Sequence, residues 1–169
     1  MVLKFLPQTY EELTRLARHY LAGQNRNHLF ETSALLNEAL LKLLNPAYSH
    51  EWRDHTHFVA VVATCMRHIL IDHARKENAQ KRGGRTVLLP LDSIEDIANS
   101  NIETDDELLA LDAALTKLAE VDPLKSRLLE MRIFGEMTIE ATAEALEISP
   151  ATVKRHWTLA CAWLKREMS

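Results

Sequence analysis

Between Phe58 and Leu70, apolar side chains fall at Phe58, Val61, Val62, Cys65, Met66, Ile69 and Leu70, every third or fourth residue without a break. That spacing gathers them on one side of a long helix, predicted over residues 56–78. A stripe of that width is a core face and demands apolar partners. Two candidates precede it. Leu13, Leu16, Ala17, Tyr20 and Leu21 repeat at helical spacing behind Thr9-Tyr10-Glu11-Glu12, which fits a capping box, so a helix is predicted from Thr9 to a stop at Gly23. Leu36, Leu40, Leu43 and Leu44 mark another helix, starting near Thr32 or Ser33 and ending at Asn45-Pro46. Three stripes that need one another make a small helical bundle.

The rest of the chain reads the same way. Leu108, Leu111, Leu115 and Leu118 mark a fourth helix ending near Asp122-Pro123. Leu124, Leu128 and Met131 continue in a fifth, stopped by Gly135. Only 4 Gly and 5 Pro occur in 169 residues, too few turn formers for a sheet sandwich or barrel, so the fold class is all-α. Cys65 and Cys161 cannot build a disulfide framework and read as small core hydrophobes in a reducing compartment. No run of ~18 apolar residues is present, so no membrane span is expected. Met1–Pro7 is too short for a signal peptide and lacks a cleavage-site pattern, which points to a cytoplasmic protein.

The formal net charge of −4 conceals three blocks. Residues 1–89 hold 12 Lys/Arg against 8 Asp/Glu, residues 90–123 hold 1 against 10, and residues 124–169 hold 7 against 6. The acidic middle is rich in Asp, Glu, Ser and Asn from Pro90 to Glu107 and reads as a linker. In the free protein it is expected to lie against the cationic third helix and partly mask it. Just before it come Arg75, Lys76, Lys81, Arg82 and Arg85 with Gly83-Gly84, a solvated basic segment closing that helix.

The segment Thr138 to Lys165 bears most on function. A short helix from Thr138 to Leu146 meets a tight turn at Glu147-Ile148, and Ser149-Pro150 opens the last helix as N-cap and first helical residue. This is helix-turn-helix spacing. Ala143 is small where the helices must touch, and Ile139, Leu146, Ile148, Val153, Trp157 and Leu159 are expected to pin the pair. Pro150, Ala151, Thr152, Lys154, Arg155 and His156 occupy the first two turns, where a recognition helix meets base edges and phosphates. A helical hairpin with a cationic surface is the plainer reading of the same residues. On the third helix, Thr64, Arg67, Ile71 and Arg75 share one face, and His68 and Asp72 lie beside it with Arg75. Cationic and stacking-capable groups there suit unpaired bases and phosphates.

Thr138 to Arg155, continued to Trp157 and Ala162-Trp163-Leu164, resembles the promoter-recognising helix-turn-helix of extracytoplasmic-function (ECF) bacterial sigma factors. Ala34 to Leu43 resembles their helix that docks on the clamp of RNA polymerase, and Phe58 to Lys76 the helix that opens and reads the −10 element. The resemblance implies two helical domains: region two over residues 5–85, an acidic linker over 86–106, and region four over 107–167. It implies core RNA polymerase and promoter DNA as partners, no enzymatic activity, no cofactor and no metal. Pro150, Ala151, Thr152, Lys154, Arg155 and His156 would read the −35 element. Thr64, Arg67, His68, Ile71, Asp72 and Arg75 would meet the −10 element. Glu31, Leu35, Asn37, Glu38 and Lys42 would face the polymerase. Trp52 and His57, beside a loop from Pro46 to His55, are placed to clasp a flipped base.

One departure stands out. Typical members carry an acidic cluster ahead of the clamp-docking helix, whereas here the stretch is Glu31-Thr32-Ser33-Ala34. It resembles a subgroup in which a Ser/Thr protein kinase supplies the missing charge, which makes Ser33 and Thr32 candidate phosphorylation sites; an anti-sigma partner is not identified by the sequence. Two readings from other classes compete. A metal enzyme built on His55, His57, His68, His73 and Asp72 lacks ligand spacing, since His68 and His73 are five apart and no His-Glu-x-x-His pattern occurs. A dimeric helix-turn-helix regulator that never binds polymerase would leave the first block without a role.

Overall fold

The structure is a computed structural model and describes residues 2–22, 32–48, 54–80 and 105–169. Among the described residues all regular structure is helical: α1 (Val2–Ala22), α2 (Thr32–Leu44), α3 (His55–Gln80), α4 (Asp105–Val121), α5 (Pro123–Ile133), α6 (Ile139–Leu146) and α7 (Pro150–Met168), with one 3-10 turn at Pro46–Tyr48. The expected all-α class is what the chain adopts.

Helices α1, α2 and α3 pack pairwise on one another. Leu13, Leu35, Leu36, Phe58 and Met66 are fully enclosed there, and Ile69 nearly so. The start of α1 differs from expectation. The helix begins at Val2, two turns before Thr9, and the Thr9 hydroxyl donates to the Phe5 carbonyl at 2.7 Å instead of capping a helix end. The reason is apolar. Phe5 stacks on Phe58 with ring centroids 5.7 Å apart, and Leu6 joins the same core. Pro7 lies inside this helix, where it removes one backbone hydrogen bond and crowds the carbonyl one turn back, and the helix runs on through it. On α2 the buried stripe includes Leu35, whereas Leu44 stays exposed. Helix α3 opens on Asp54, whose side chain accepts from the His57 N–H at 2.8 Å.

Helices α4 to α7 carry the second set of stripes. Leu108, Leu111, Leu115 and Leu118 are all buried, as their spacing predicts. Asp122 caps α5 by accepting from the Lys125 N–H at 3.0 Å, and the same carboxylate pairs with the Lys125 ammonium. The ammonium's hydrogen bond, helped by the backbone one, holds the Asp122 carboxyl below its ordinary range. Ser126, buried, donates to the Leu115 carbonyl at 3.0 Å and ties α5 to α4.

The two helix sets also pack on each other, with α3 against α4, α5 and α6. Buried apolar side chains run from Leu13 in α1 to Leu164 and Met168 in α7 as one cluster. The basic run at residues 81–85 and almost all of the 86–106 linker lie outside the described residues, as do Trp52 and Glu31. From the C-terminal set, α4, α5 and α6 lie against α3 among the described residues.

Gly135 joins α5 to α6 at a point of close approach. A Cβ there would sit 2.6 Å from the Met131 carbonyl oxygen, a backbone atom that cannot turn aside. Gly135→Ala is expected to lower stability by about 1–3 kcal/mol in a denaturant titration. The exposed Ser149→Ala, which only loses a cap, should cost about 1 kcal/mol in the same titration.

Candidate nucleic-acid interface

The helix-turn-helix is built from local signals that agree. The Thr138 hydroxyl accepts from the Ala141 N–H at 3.1 Å and caps α6. Glu147 then takes a left-handed conformation (φ 56°, ψ 41°), and the Ile148 N–H returns to the Ala143 carbonyl at 3.0 Å. That bond occupies a carbonyl otherwise orphaned at the helix end. Ser149 immediately caps α7, its hydroxyl accepting from the Thr152 N–H at 3.1 Å, with Pro150 as first helical residue. Leu128, Ala143 and Val153 form the buried contact, flanked by Ile139, Leu146, Ile148 and Trp157. Leu159 is a correction. It points away from this contact and is 53% exposed, because it lies about 200° around the helix from Trp157.

Pro150, Ala151, Lys154 and Arg155 are exposed on the first turns of α7, while Thr152 and His156 are half-buried. Neither Lys154 nor Arg155 has an ion-pair partner among the described residues. The Thr152 hydroxyl is 2.8 Å from that of Ser149. Behind α7, the Arg132 guanidinium lies 4.9 Å from the Trp157 ring and donates to the Met137 carbonyl at 2.7 Å. Burial there lowers the Arg132 pKa, and it lifts the neighbouring Cys161 thiol to about 12. The helix is therefore braced from below with its cationic side chains in solvent.

The third helix presents a different picture. Thr64, Arg67, His68, Ile71, Asp72 and Arg75 all line one cleft of about 710 Å³, so the face read from spacing is brought together. The cleft's other wall belongs to α4 and α5. Arg67 is 4% exposed, and its Nη2 donates to Glu130 Oε1 at 2.7 Å and sits 3.8 Å from Asp112 Oδ1. Its guanidinium carbon lies 5.0 Å from the Phe134 ring centroid. Arg75, mostly exposed, pairs with Asp112 Oδ2 at 3.1 Å. Ile71 is buried at the cleft floor, whereas Asp72 is exposed.

Of the residues expected to face polymerase, Asn37 is exposed and Glu38 and Lys42 are half-buried, with Lys42 on the cleft rim. Leu35 is fully buried in the α1–α3 core. His57 is half-buried at the start of α3 and has a partner. Thr32 and the exposed Ser33 open α2, whose first turn carries no acid.

The model of the family described as ECF sigma factor matches residues 3–169, nearly the whole chain. The chain belongs to the ECF sigma factor family. It is accordingly a sigma factor, a protein that directs transcription with core RNA polymerase at promoter DNA. Neither the curated proteins nor the solved structures compared with it gave a match. No helix among the described residues is long and apolar enough to cross a membrane.

Asp112 and Glu130, which pair with Arg75 and Arg67 across the cleft, are absent from the sequence expectations. A signal for Asp112 was present. Asp112 interrupts the stripe Leu108, Leu111, Leu115 at a core position, whereas Glu130 lies well off the stripe of Leu124, Leu128 and Met131 and gave none. A carboxylate on a buried face requires a cation.

Arg67 donates also toward His68, its Nη2 standing 3.1 Å from His68 Nε2. A guanidinium can only donate, so Nε2 must accept, which the imidazolium cannot do. Desolvation in the cleft, then the Arg67 charge, push the His68 pKa below its ordinary 6.5. Above that value both folded and unfolded chains keep the ring neutral. As pH falls from 6.5 toward the lowered midpoint, the unfolded chain binds the proton first and folding stability declines. An NMR titration should place the His68 midpoint below 6.5, and Arg67→Ala should move it upward.

Proposed function

We propose that this sigma factor reads the −35 element with the N-terminal turns of α7 and the −10 element with the cleft face of α3. In this reading residues 5–85 act as region two and residues 107–167 as region four. The observation that carries it is α7. It is capped and braced, its partner helix crosses it at Ala143, and Lys154 and Arg155 stand unpaired in solvent beside Thr152 and His156. Helix N-terminal turns carrying donors and cations are what the major groove and its phosphates accept.

Promoter-specific run-off transcription with core polymerase tests it. Losing a base-reading contact at Lys154 or Arg155 should cost about 1–3 kcal/mol and relax sequence preference, whereas losing a phosphate contact should weaken all sequences alike. Lys154→Ala/Arg155→Ala with unchanged transcription would remove α7 as the reader. For α3, permanganate reactivity of −10 thymines should fall in Arg75→Ala while duplex −35 binding persists.

The docking helix α2 is the proposed site of regulation by a Ser/Thr protein kinase. Support comes from the first turn of α2, which has no acid and opens on Thr32 and an exposed Ser33. A phosphate adds about −1.5 to −2 charge and three acceptors, and a helix N-terminus favours that charge. Ser33 is the preferred position, because it aligns with an acidic position of typical family members. Phosphorylated protein should bind core polymerase at least about tenfold more tightly, equivalent to roughly 1.4 kcal/mol. Equal run-off transcription with and without phosphate, together with an active Thr32→Ala/Ser33→Ala variant in cells, would leave a constitutive sigma factor.

A further inference from the structure

We propose that α4 and α5 form an intramolecular latch on the −10-reading face of α3, so that the free chain ties up Arg67 and Arg75 of that face while α7 stays open. The proposal rests on the reading of α3 given above and adds its regulation. Arg67 and Arg75 belong to that face, and both are held by carboxylates from the far side of the cleft. Glu130 takes Arg67 at 2.7 Å and Asp112 takes Arg75 at 3.1 Å, from 63 and 37 residues away in sequence. A carboxylate oxygen against a guanidinium offers the same acceptor chemistry as a phosphate oxygen. The two acids therefore occupy Arg67 and Arg75 in the way a single strand's backbone would.

Closure reaches beyond these pairs. The Phe134 ring, which lies against the Arg67 guanidinium, meets the Tyr20 ring edge-on at 6.0 Å, and His19 reaches Glu136 at 3.3 Å. The closed state is nonetheless imperfectly satisfied. Arg67 Nε and Nη1 are buried and have no hydrogen-bond partner among the described residues, and neither has the Tyr20 hydroxyl. Unmade bonds at a buried cation count against the state that buries it. Opening the latch also parts apolar contacts that the two helix sets share, and a partner that binds only the open form shifts the population toward it. Masking lowers apparent single-strand affinity by the fraction of chains that are open. Lys154 and Arg155 are exposed in the closed chain, so duplex contact through α7 precedes contact through α3.

The test uses the full chain. Asp112→Asn/Glu130→Gln leaves Arg67 without a counter-charge and should open the cleft. Small-angle scattering should report a larger radius of gyration, and a fluorescein-labelled single-stranded 12-mer of random sequence should bind at least tenfold more tightly than to the unaltered chain. Glu11→Gln/Glu120→Gln, which removes the same charge at two exposed positions, should change neither. Glu130→Arg should open the chain by repulsion, and Arg67→Glu/Glu130→Arg should restore the compact radius, which separates unlatching from misfolding. An unchanged radius and unchanged affinity in both Asp112→Asn/Glu130→Gln and Glu130→Arg would overturn the latch and leave the −10 reading intact. A larger radius with no gain in single-strand affinity would overturn masking by removing α3 as the −10 reader.

Discussion

The two helix sets share an apolar core, and within it their relation turns on one buried cation. A guanidinium taken out of water costs several kcal/mol unless a carboxylate and further contacts offset it. Arg67 finds Glu130 and Asp112 across the cleft and the Phe134 ring beneath it, all supplied by the C-terminal helices. None of these partners belongs to the bundle that holds Arg67. The cleft that contains the candidate −10 residues exists because these groups face each other. The lowered His68 pKa follows from desolvation in the same cleft and from the same guanidinium.

The helix-turn-helix depends on nothing so distant. Thr138, Glu147, Ser149 and Pro150 lie within one short stretch and each sets a helix end through its own side chain or backbone. Arg132 then fixes the unit from below by gripping the Met137 carbonyl and lying on Trp157. Rigid elements of this kind position side chains better than loops do. The exposed Lys154 and Arg155 thus sit on a support that does not require the cleft to be open or closed.

Two cationic surfaces on one chain are therefore in opposite states. The α7 surface faces solvent, and the α3 surface is matched to acids of the same molecule. For a sigma factor this ordering has a consequence. In the proposed reading, duplex DNA needs no rearrangement to meet α7, whereas unpaired bases meet Arg67 and Arg75 only once Glu130 and Asp112 release them. Because the blocking groups are carboxylates, the exchange is of one acceptor for another, and it involves little net loss of charge pairing.

The sequence by itself determined the helices and their local ends. Leu108, Leu111, Leu115 and Leu118 are buried as their period requires, and Ser149-Pro150 caps α7, because both effects act within a few residues. The clustering of Thr64, Arg67, His68, Ile71, Asp72 and Arg75 was also legible, since one helix face is a matter of spacing. Only the tertiary structure decided the start of α1, where stacking of Phe5 on Phe58 outweighs the Thr9 cap. It alone decided that Leu35 is core while Leu44 is not, whereas the exposure of Leu159, about 200° around α7 from Trp157, follows from helix periodicity. Above all it decided what stands opposite Arg67. Glu130 is 63 residues away, and periodicity along one helix carries no information about which other helix will face it.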